Sequence, residues 1–191
     1  MAAMPLRTPS PAANPSPWLD PFVVLATCGW LGRMPGAPGT FGATLGVGLS
    51  LATGGLAERL AERLPIAAVA IELVLLLLIN LVGIPICTRA AAALGLGVDP
   101  GAIVYDEAAS LPLGLIMIPF AQRSGWMLVV AFCLHRVFDI YKPFPCRQLE
   151  HLPAGLGIMA DDWGAAAWMA VCLAIGVASV HWFGLSGSLW L

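Results

Sequence analysis

Five apolar blocks dominate the pattern of hydrophobic and polar positions along the chain, and most of the charged residues lie between them. The second and fifth blocks have about the 20 residues that a helix needs to cross a bilayer, whereas the third is short and contains two prolines. The pattern therefore predicts five membrane helices, of which the third either crosses or re-enters on the same side. The blocks cover residues 41–57, 66–87, 108–120, 126–140 and 163–183.

The N-terminal region does not follow this pattern. Residues 1–17 contain five prolines among Ala, Ser and Asn, which predicts a disordered tail because nothing there can build a core. Residues 18–31 are apolar again but too short to span, so we expect an interfacial or half-inserted helix. The chain is therefore divided into this tail and a single membrane-embedded domain over residues 18–191.

The composition explains why the apolar blocks cannot all lie in the core of a soluble protein. Hydrophobic residues make up 59% of the chain and charged residues 10%, and the mean hydropathy is +0.87. Soluble domains carry about 25% charged residues, so lipid must solvate part of this surface. A soluble enzyme and a disordered chain are excluded, and the net charge of −2 excludes a nucleic-acid binder. The predicted fold class is all-α, a polytopic membrane helix bundle with short and broken helices, one of them a candidate re-entrant helix.

The basic residues predict the orientation of this bundle. If all five segments cross, the N-terminus and the two longer loops share one side, which then carries six basic residues against three. The positive-inside rule places that side in the cytoplasm. The first side has Arg7, Arg33, Arg89, Arg136, Lys142 and Arg147, and the second has Arg59, Arg63 and Arg123. Glu72 lies within the second segment, and we expect it to meet either an interhelical partner such as Asn80 or a water defect that faces the lipid.

Carboxylates gather on the predicted cytoplasmic side. Five of them abut apolar segments and have too few basic partners: Asp106, Glu107, Asp139, Asp161 and Asp162. Clustered carboxylates repel one another unless a proton or a cation intervenes, and oxygen ligands without a Cys or His pattern favour Mg²⁺ over zinc. The alternatives are that the two acidic pairs begin helices and complement the helix dipole, and that Asp139 forms a structural ion pair.

Two short motifs predict the binding of a phosphate group. Charged residues recur in steps of three at Arg136, Asp139 and Lys142, which places them on one stripe of a helix that Pro143 then ends. A metal-binding Asp between two cations suits a phosphate monoester, because the cations hold the phosphate oxygens. The turn at Gly39-Thr40 is a weaker anion site, in which Thr40 caps a helix that begins near residue 41.

Four motifs, in this order, resemble those of a known family. They are Pro38-Gly-Thr-Phe-Gly42, Ile103-Val-Tyr-Asp-Glu107, Arg136-Val-Phe-Asp-Ile-Tyr-Lys-Pro-Phe-Pro145 and Gly157-Ile-Met-Ala-Asp-Asp162. From about residue 18 to about residue 184, the chain resembles the phosphatidylglycerophosphatase A family of bacterial membrane lipid phosphatases. Ser110 and Ala166 stand where the family usually has glycine, and we expect these two differences to affect helix packing.

The resemblance implies an enzyme of phospholipid biosynthesis that removes the terminal phosphate from phosphatidylglycerol phosphate, with Mg²⁺ as cofactor. It also implies a phospholipid substrate, contact with membrane lipids and a multi-pass location in the bacterial cytoplasmic (inner) membrane, with the active site facing the cytoplasm. The residues assigned to catalysis are Asp139, Lys142, Arg136 and Asp162. The residues assigned to the metal are Asp106, Glu107, Asp139, Asp161 and Asp162, and those assigned to the substrate are Gly39, Thr40, Arg136 and Lys142.

Two other functions fit the apolar composition. In an ion or proton transporter, buried acids would relay cations, but the acids here gather at one surface and no inverted repeat is visible. A non-catalytic membrane scaffold would have no need of Arg136, Asp139 and Lys142 together.

Overall fold

The computed structural model describes residues 16–61, 64–95 and 101–182, and every regular element in those ranges is helical. Within those ranges, three turns of 3-10 helix accompany seven α-helices, which confirms the all-α prediction. The α-helices are α1 (Pro21–Ala26), α2 (Pro38–Leu60), α3 (Pro65–Leu94), α4 (Tyr105–Gly114), α5 (Gly125–Tyr141), α6 (Cys146–Leu149) and α7 (Gly155–Trp182). Of the predicted tail, residues 1–15 lie outside the described residues, as does Arg63 from the charge count.

Three of these helices, α2, α3 and α7, are long and apolar enough to cross a membrane. The outward side chains of α3 are large and apolar; Ile66 is 87% exposed and Leu78 is 56% exposed. Such a surface is stable in lipid and costly in water. Helix α5 has 17 residues, at the lower end of the length that spans a bilayer.

Successive segments alternate in direction, so one end of the bundle collects the ends of five helices. At that end Gly39 of α2 lies against Glu107 of α4, and Lys142 after α5 contacts Asp161 of α7. The C-terminal part of α3 reaches the same end, where Thr88 accepts a hydrogen bond from the backbone N–H of Gly155, 2.9 Å away. The predicted acidic side of the bundle is therefore one physical surface.

The third predicted helix is shorter than expected. Helix α4 begins at Tyr105 and ends at Gly114, and the remaining residues to 124 form turns and a 3-10 helix at Phe120–Gln122. The α4 residues from Ala108 to Pro112 are buried between the longer helices, which shield the interrupted backbone. Segment three thus runs the length of the bundle as a short helix followed by irregular chain.

Arg123 satisfies the backbone that this interruption leaves without helical partners. Its guanidinium donates to the carbonyl oxygens of Ile118 and Leu115, at 3.0 and 3.1 Å. It also forms two hydrogen bonds of 2.7 Å with the carboxylate of Glu72. Arg123 is therefore a buried structural residue and not a loop charge, which corrects its place in the charge balance.

Glu72 has a partner from another segment, but that partner is Arg123 and not Asn80. Glu72 pairs with Arg123 and accepts a hydrogen bond from the Thr53 hydroxyl at 3.2 Å, so α2, α3 and the chain after α4 meet at one polar point. Asn80 instead donates to the Ala109 carbonyl and accepts from the indole of Trp163, at 2.9 and 2.8 Å. Glu72 and Asn80 lie eight residues apart on α3, about 12 Å along the helix axis, so they cannot pair directly. Arg123 lies 51 positions from Glu72 and reaches it only through the packing of the bundle.

Removal of one partner of this pair should destabilise the fold. We expect Arg123→Met to lower the free energy of unfolding by about 3–5 kcal/mol, because it leaves the Glu72 charge buried and unpaired. Denaturant unfolding in detergent micelles, followed by circular dichroism, measures the change. The double variant Arg123→Met/Glu72→Leu should recover part of the loss, and Arg59→Met, at an exposed position of α2, should have little effect. An unchanged midpoint in Arg123→Met would contradict this role.

Candidate active site

Three helices, α4, α5 with its C-terminal cap, and α7, supply the polar side chains at the acidic end of the bundle. Asp106 and Glu107 lie in the first turn of α4, and Arg136 and Asp139 lie in the last two turns of α5. Lys142 is the residue that caps α5, and Asp161 and Asp162 lie in the second turn of α7. The first turn of α2 completes the surroundings with Gly39.

The five carboxylates form two groups that share a member. Asp106, Glu107 and Asp162 make the first group, and Asp139, Asp161 and Asp162 make the second. Within each group, one oxygen from every residue lies within 4.8 Å of the others. Asp162 therefore sits between the two acids of α4 and Asp139 of α5, and the helices bring together residues from three separate motifs.

Two basic side chains contact this cluster from α5 and its cap. Arg136 forms a close ion pair with Asp139 and lies 3.6 Å from Glu107. The Lys142 ammonium lies 2.6 Å from Asp161 and 3.2 Å from Glu150. The contact with Glu150 was not anticipated, because nothing in the spacing of this acid shows that α6 turns it back toward Lys142.

Several polar atoms in the cluster are buried without a hydrogen-bond partner. They are Asp106 Oδ1, Glu107 Oε2, Asp162 Oδ2 and Arg136 Nε. Asp106 and Asp162 are only 7% and 2% exposed, so water does not replace the missing partners at their surface. Buried carboxylate oxygens with no donor are the ligand type that a hard divalent cation uses, and the donor set fits such an ion.

Electrostatics at α4 lead to the same requirement for a proton or cation. Burial, with Glu107 and Asp162 close by, raises the pKa of Asp106 well above its usual range. Burial also raises the pKa of Glu107, to about 6, although Arg136 opposes the shift. Burial would lower the pKa of Lys142, but its contacts with Asp161 and Glu150 outweigh burial and raise it, so the ammonium stays charged.

Helix α2 approaches the cluster closely because it has glycine at two points. A Cβ on Gly42 would lie 2.7 Å from the Val104 carbonyl oxygen, and one on Gly39 would collide with Glu107 and Arg136. The helix begins at Pro38 with Ala37 as its N-cap, so the expected N-cap role of Thr40 is wrong. Thr40 lies within the first turn, where its backbone N–H donates to the Ala37 carbonyl.

Two further expectations about local structure are corrected. Helix α7 begins at Gly155, eight residues before the predicted start, so Asp161 and Asp162 lie inside a helix and do not complement its N-terminal dipole. Lys142 adopts a left-handed conformation with φ of 48°, which takes it out of the α5 stripe. It reaches Asp161 on α7, whereas Arg136 contacts Asp139 and Glu107.

The two departures from the family pattern lie in helix contacts beside the cluster. The Ser110 hydroxyl forms a buried hydrogen bond with His135 Nε2 at 3.0 Å, which joins α4 to α5. Ala166 is buried, and its carbonyl oxygen lies so close to Gly114 that a Cβ added to Gly114 would be only 2.7 Å from it. The close approach of α4 and α7 is thus supplied by glycine on the facing helix.

Comparison with known proteins identifies the family. The family model described as "Phosphatidylglycerophosphatase A" matches residues 24–177. The chain belongs to the phosphatidylglycerophosphatase A family. This membership confirms the resemblance found in the motifs, and the match begins within α1 and includes every residue of the carboxylate cluster.

Individual relatives agree with this family. A Haemophilus influenzae protein named "Phosphatidylglycerophosphatase A" is 35% identical over 80% of this chain and 86% of its own length. An Escherichia coli protein of the same name is 34% identical over 42% of this chain and 46% of its own. A Bacteroides thetaiotaomicron protein named "Putative phosphatidylinositol-3-phosphatase" is 35% identical over 41% of this chain and 50% of its own. The last two matches thus span about half of each relative, and no solved structure matches the chain.

The contact between α2 and the cluster can be tested with a pair of matched glycine variants in this family member. Gly39→Ala should lower phosphate release by at least about tenfold, because the new methyl group displaces Glu107 and Arg136. Gly48→Ala adds the same group to the same helix where nothing lies within 4 Å, and should retain activity. Initial rates measured on equal amounts of folded protein decide between them. Equal rates in both variants would show that α2 does not position the cluster.

Proposed function

We propose that the protein hydrolyses the terminal phosphate monoester of phosphatidylglycerol phosphate, yielding phosphatidylglycerol and inorganic phosphate. The reaction requires Mg²⁺ and takes place at the cytosolic face of the bacterial inner membrane. The observation that carries the proposal is the cluster itself, in which unpartnered carboxylate oxygens lie beside Arg136 and Lys142. Membership of the phosphatidylglycerophosphatase A family supports the identity of the lipid.

The acids of the cluster would hold the Mg²⁺. Asp106, Glu107 and Asp162 offer one set of oxygens, and Asp139 and Asp161 extend it toward the basic residues. Mg²⁺ bound by carboxylates supplies a Lewis acid for phosphate oxygens and lowers the pKa of water. The transporter alternative is less well supported, because Glu72, a buried acid toward the other end of the bundle, is neutralised by Arg123.

Arg136 and Lys142 would orient the phosphate. The Arg136 Nε–H is buried and has no hydrogen-bond acceptor. Arg136 and Lys142 each pair with a carboxylate, and a bound cation could neutralise those carboxylates in their place. In the first turn of α2, the backbone N–H of Gly39 and the hydroxyl of Thr40 would add further donors. Together these groups hold a phosphate dianion where its ester oxygen can leave as an alcohol.

Water is the nucleophile that we favour. Each of the five carboxylates belongs to a cation-binding group, which makes none of them an obvious site for an aspartyl-phosphate. In this scheme the oxygen of water forms a bond to phosphorus and the bond from phosphorus to the glycerol oxygen breaks. The leaving oxygen takes up a proton, so the products are an alcohol and inorganic phosphate.

The revised charge balance supports a cytosolic site. Arg123, Arg136 and Lys142 are engaged inside the bundle and no longer count as loop charges. The described residues that remain are Arg33, Arg89 and Arg147 at the site end and Arg59 at the other end. The excess of basic residues at the site end agrees with the positive-inside rule.

An apolar groove beside the cluster suits an acyl chain of the substrate. It has a volume of about 600 Å³ and lies between α6 and α7, with Phe144, Leu149, Ala167 and Val171 among its lining residues. Its wall at Ala160 directly precedes Asp161, so a lipid in the groove would have its headgroup near the acids. The headgroup alone would then have to leave the bilayer, while the chain stays among apolar side chains.

Replacement of two cluster acids tests the proposed chemistry. Asp139→Asn and Asp162→Asn should each lower Mg²⁺-dependent phosphate release from phosphatidylglycerol phosphate by about 100-fold or more, because each removes a charged ligand. Chelation should abolish release by the unaltered protein, and phosphatidic acid should be a poorer substrate.

Glu58→Gln, at an exposed acid on the opposite end of α2, is the matched control and should be fully active. Full activity in either Asn variant would remove that residue from the site, and ion flux without phosphate release would favour a transporter.

A second test concerns the groove. Ala167→Phe should raise the KM for a long-chain substrate about tenfold while leaving a short-chain, water-soluble analogue unaffected, because the new ring fills the space of an acyl chain. Ala178→Phe makes the same change at an exposed position of α7 outside the groove. If both substrates respond equally to Ala167→Phe, the groove does not select for the chain.

A further inference from the structure

We propose that the cluster holds two divalent cations in unequal sites that share Asp162, and that the second site completes only when a phosphate group arrives. The first site consists of Asp106, Glu107 and Asp162, and the second of Asp139, Asp161 and Asp162. This inference rests on the proposed function, because the phosphate group that completes the second site is that of the substrate.

The sharing of Asp162 is the geometric basis for two sites. Its carboxylate lies within 4.8 Å of ligand oxygens in both groups, and it is 2% exposed, so it faces both sets from the interior. A carboxylate has two oxygens and can serve one cation with each. Paired metal sites with a common ligand recur in enzymes that cleave phosphate esters, where they stabilise the attacking and the leaving oxygens.

The two sites differ in what their ligands contact now. In the first, Asp106 Oδ1, Glu107 Oε2 and Asp162 Oδ2 are buried without a hydrogen-bond partner, and the nearest basic contact is 3.6 Å, from Arg136 to Glu107. In the second, Asp139 is paired with Arg136 and Asp161 with Lys142. A cation can enter the first site directly. In the second site it competes with the Arg136 guanidinium and the Lys142 ammonium.

Charge balance explains why phosphate should remove that competition. Six acids face the space, with Glu150 added to the five of the cluster, and Arg136 and Lys142 are the basic groups that contact them. The six carboxylates and the two basic groups have a net charge of −4, which one bound divalent cation changes to −2. A phosphate dianion would bring the net charge back to −4. A second cation offsets that increase. When the phosphate oxygens take Arg136 and Lys142, the oxygens of Asp139 and Asp161 become available to hold it.

The experiment counts Mn²⁺ ions by electron paramagnetic resonance on the full-length protein in phosphatidylcholine nanodiscs. The probe for substrate is the phosphonate analogue of phosphatidylglycerol phosphate, in which CH₂ replaces the ester oxygen. We expect one tightly bound Mn²⁺ per chain without the analogue and two with it, together with the spectral signature of two interacting Mn²⁺ ions. Two equal ions without the analogue, or one ion in both conditions, would overturn the inference.

Variants assign the two sites. Asp161→Asn should keep the first Mn²⁺ and lose the analogue-dependent one, whereas Asp106→Asn should weaken the first by at least tenfold. Glu58→Gln should bind as the unaltered protein does. The titration of the unaltered protein decides the number of ions even if a variant fails to fold. Phosphate release with one Mn²⁺ throughout would refute the two-site inference and leave the proposed function intact, whereas two ions without release would refute the proposed function.

Discussion

The repulsion among carboxylates buried at one end of the bundle is the constraint on which the structure of the site depends. Asp106 and Asp162 are almost fully buried, and Arg136 and Lys142 are the basic side chains that the cluster contacts. Carboxylates that are removed from water together raise one another's pKa or attract counter-ions. An arrangement with so few basic partners is therefore stable only when protons or cations complete it. The same feature that makes the cluster costly to fold makes it suitable for binding a metal.

The opposite end of the bundle solves the same problem with a different partner. Glu72 and Arg123 neutralise each other through two hydrogen bonds. The guanidinium also donates to backbone carbonyls that have no helical partner where α4 ends. Because those carbonyls are satisfied, segment three can be a short helix followed by irregular chain within an apolar bundle. The first turn of α4, with its two acids, then lies at the site end. One ion pair thus supports the fold at this end, and the carboxylate cluster lies at the other end.

Under the proposed function, the protein has to bind a doubly charged headgroup without drawing the acyl chains of the lipid into water. The arrangement here separates the two tasks, since the charged cluster lies at the end of the helices and the apolar groove lies along α6 and α7. Lys142 belongs to the charged cluster and directly precedes the Pro143–Pro145 turn that leads to the apolar groove. The proposed headgroup site and the proposed acyl-chain site thus lie next to each other in one helix bundle.

The sequence by itself determined the helical class, the long apolar segments, the family and the identity of the clustered acids, because these follow from composition and from motifs that are local in the chain. Its errors are of two kinds: helix starts and caps, and contacts between residues that are distant in the chain. It placed the start of α7 eight residues too late, gave Thr40 a capping role, matched Glu72 with Asn80 and did not foresee Glu150 beside Lys142. Only the tertiary structure decided these pairings, because an ion pair between residues 51 positions apart, such as Glu72 and Arg123, depends on how helices pack and leaves no periodic trace in the chain.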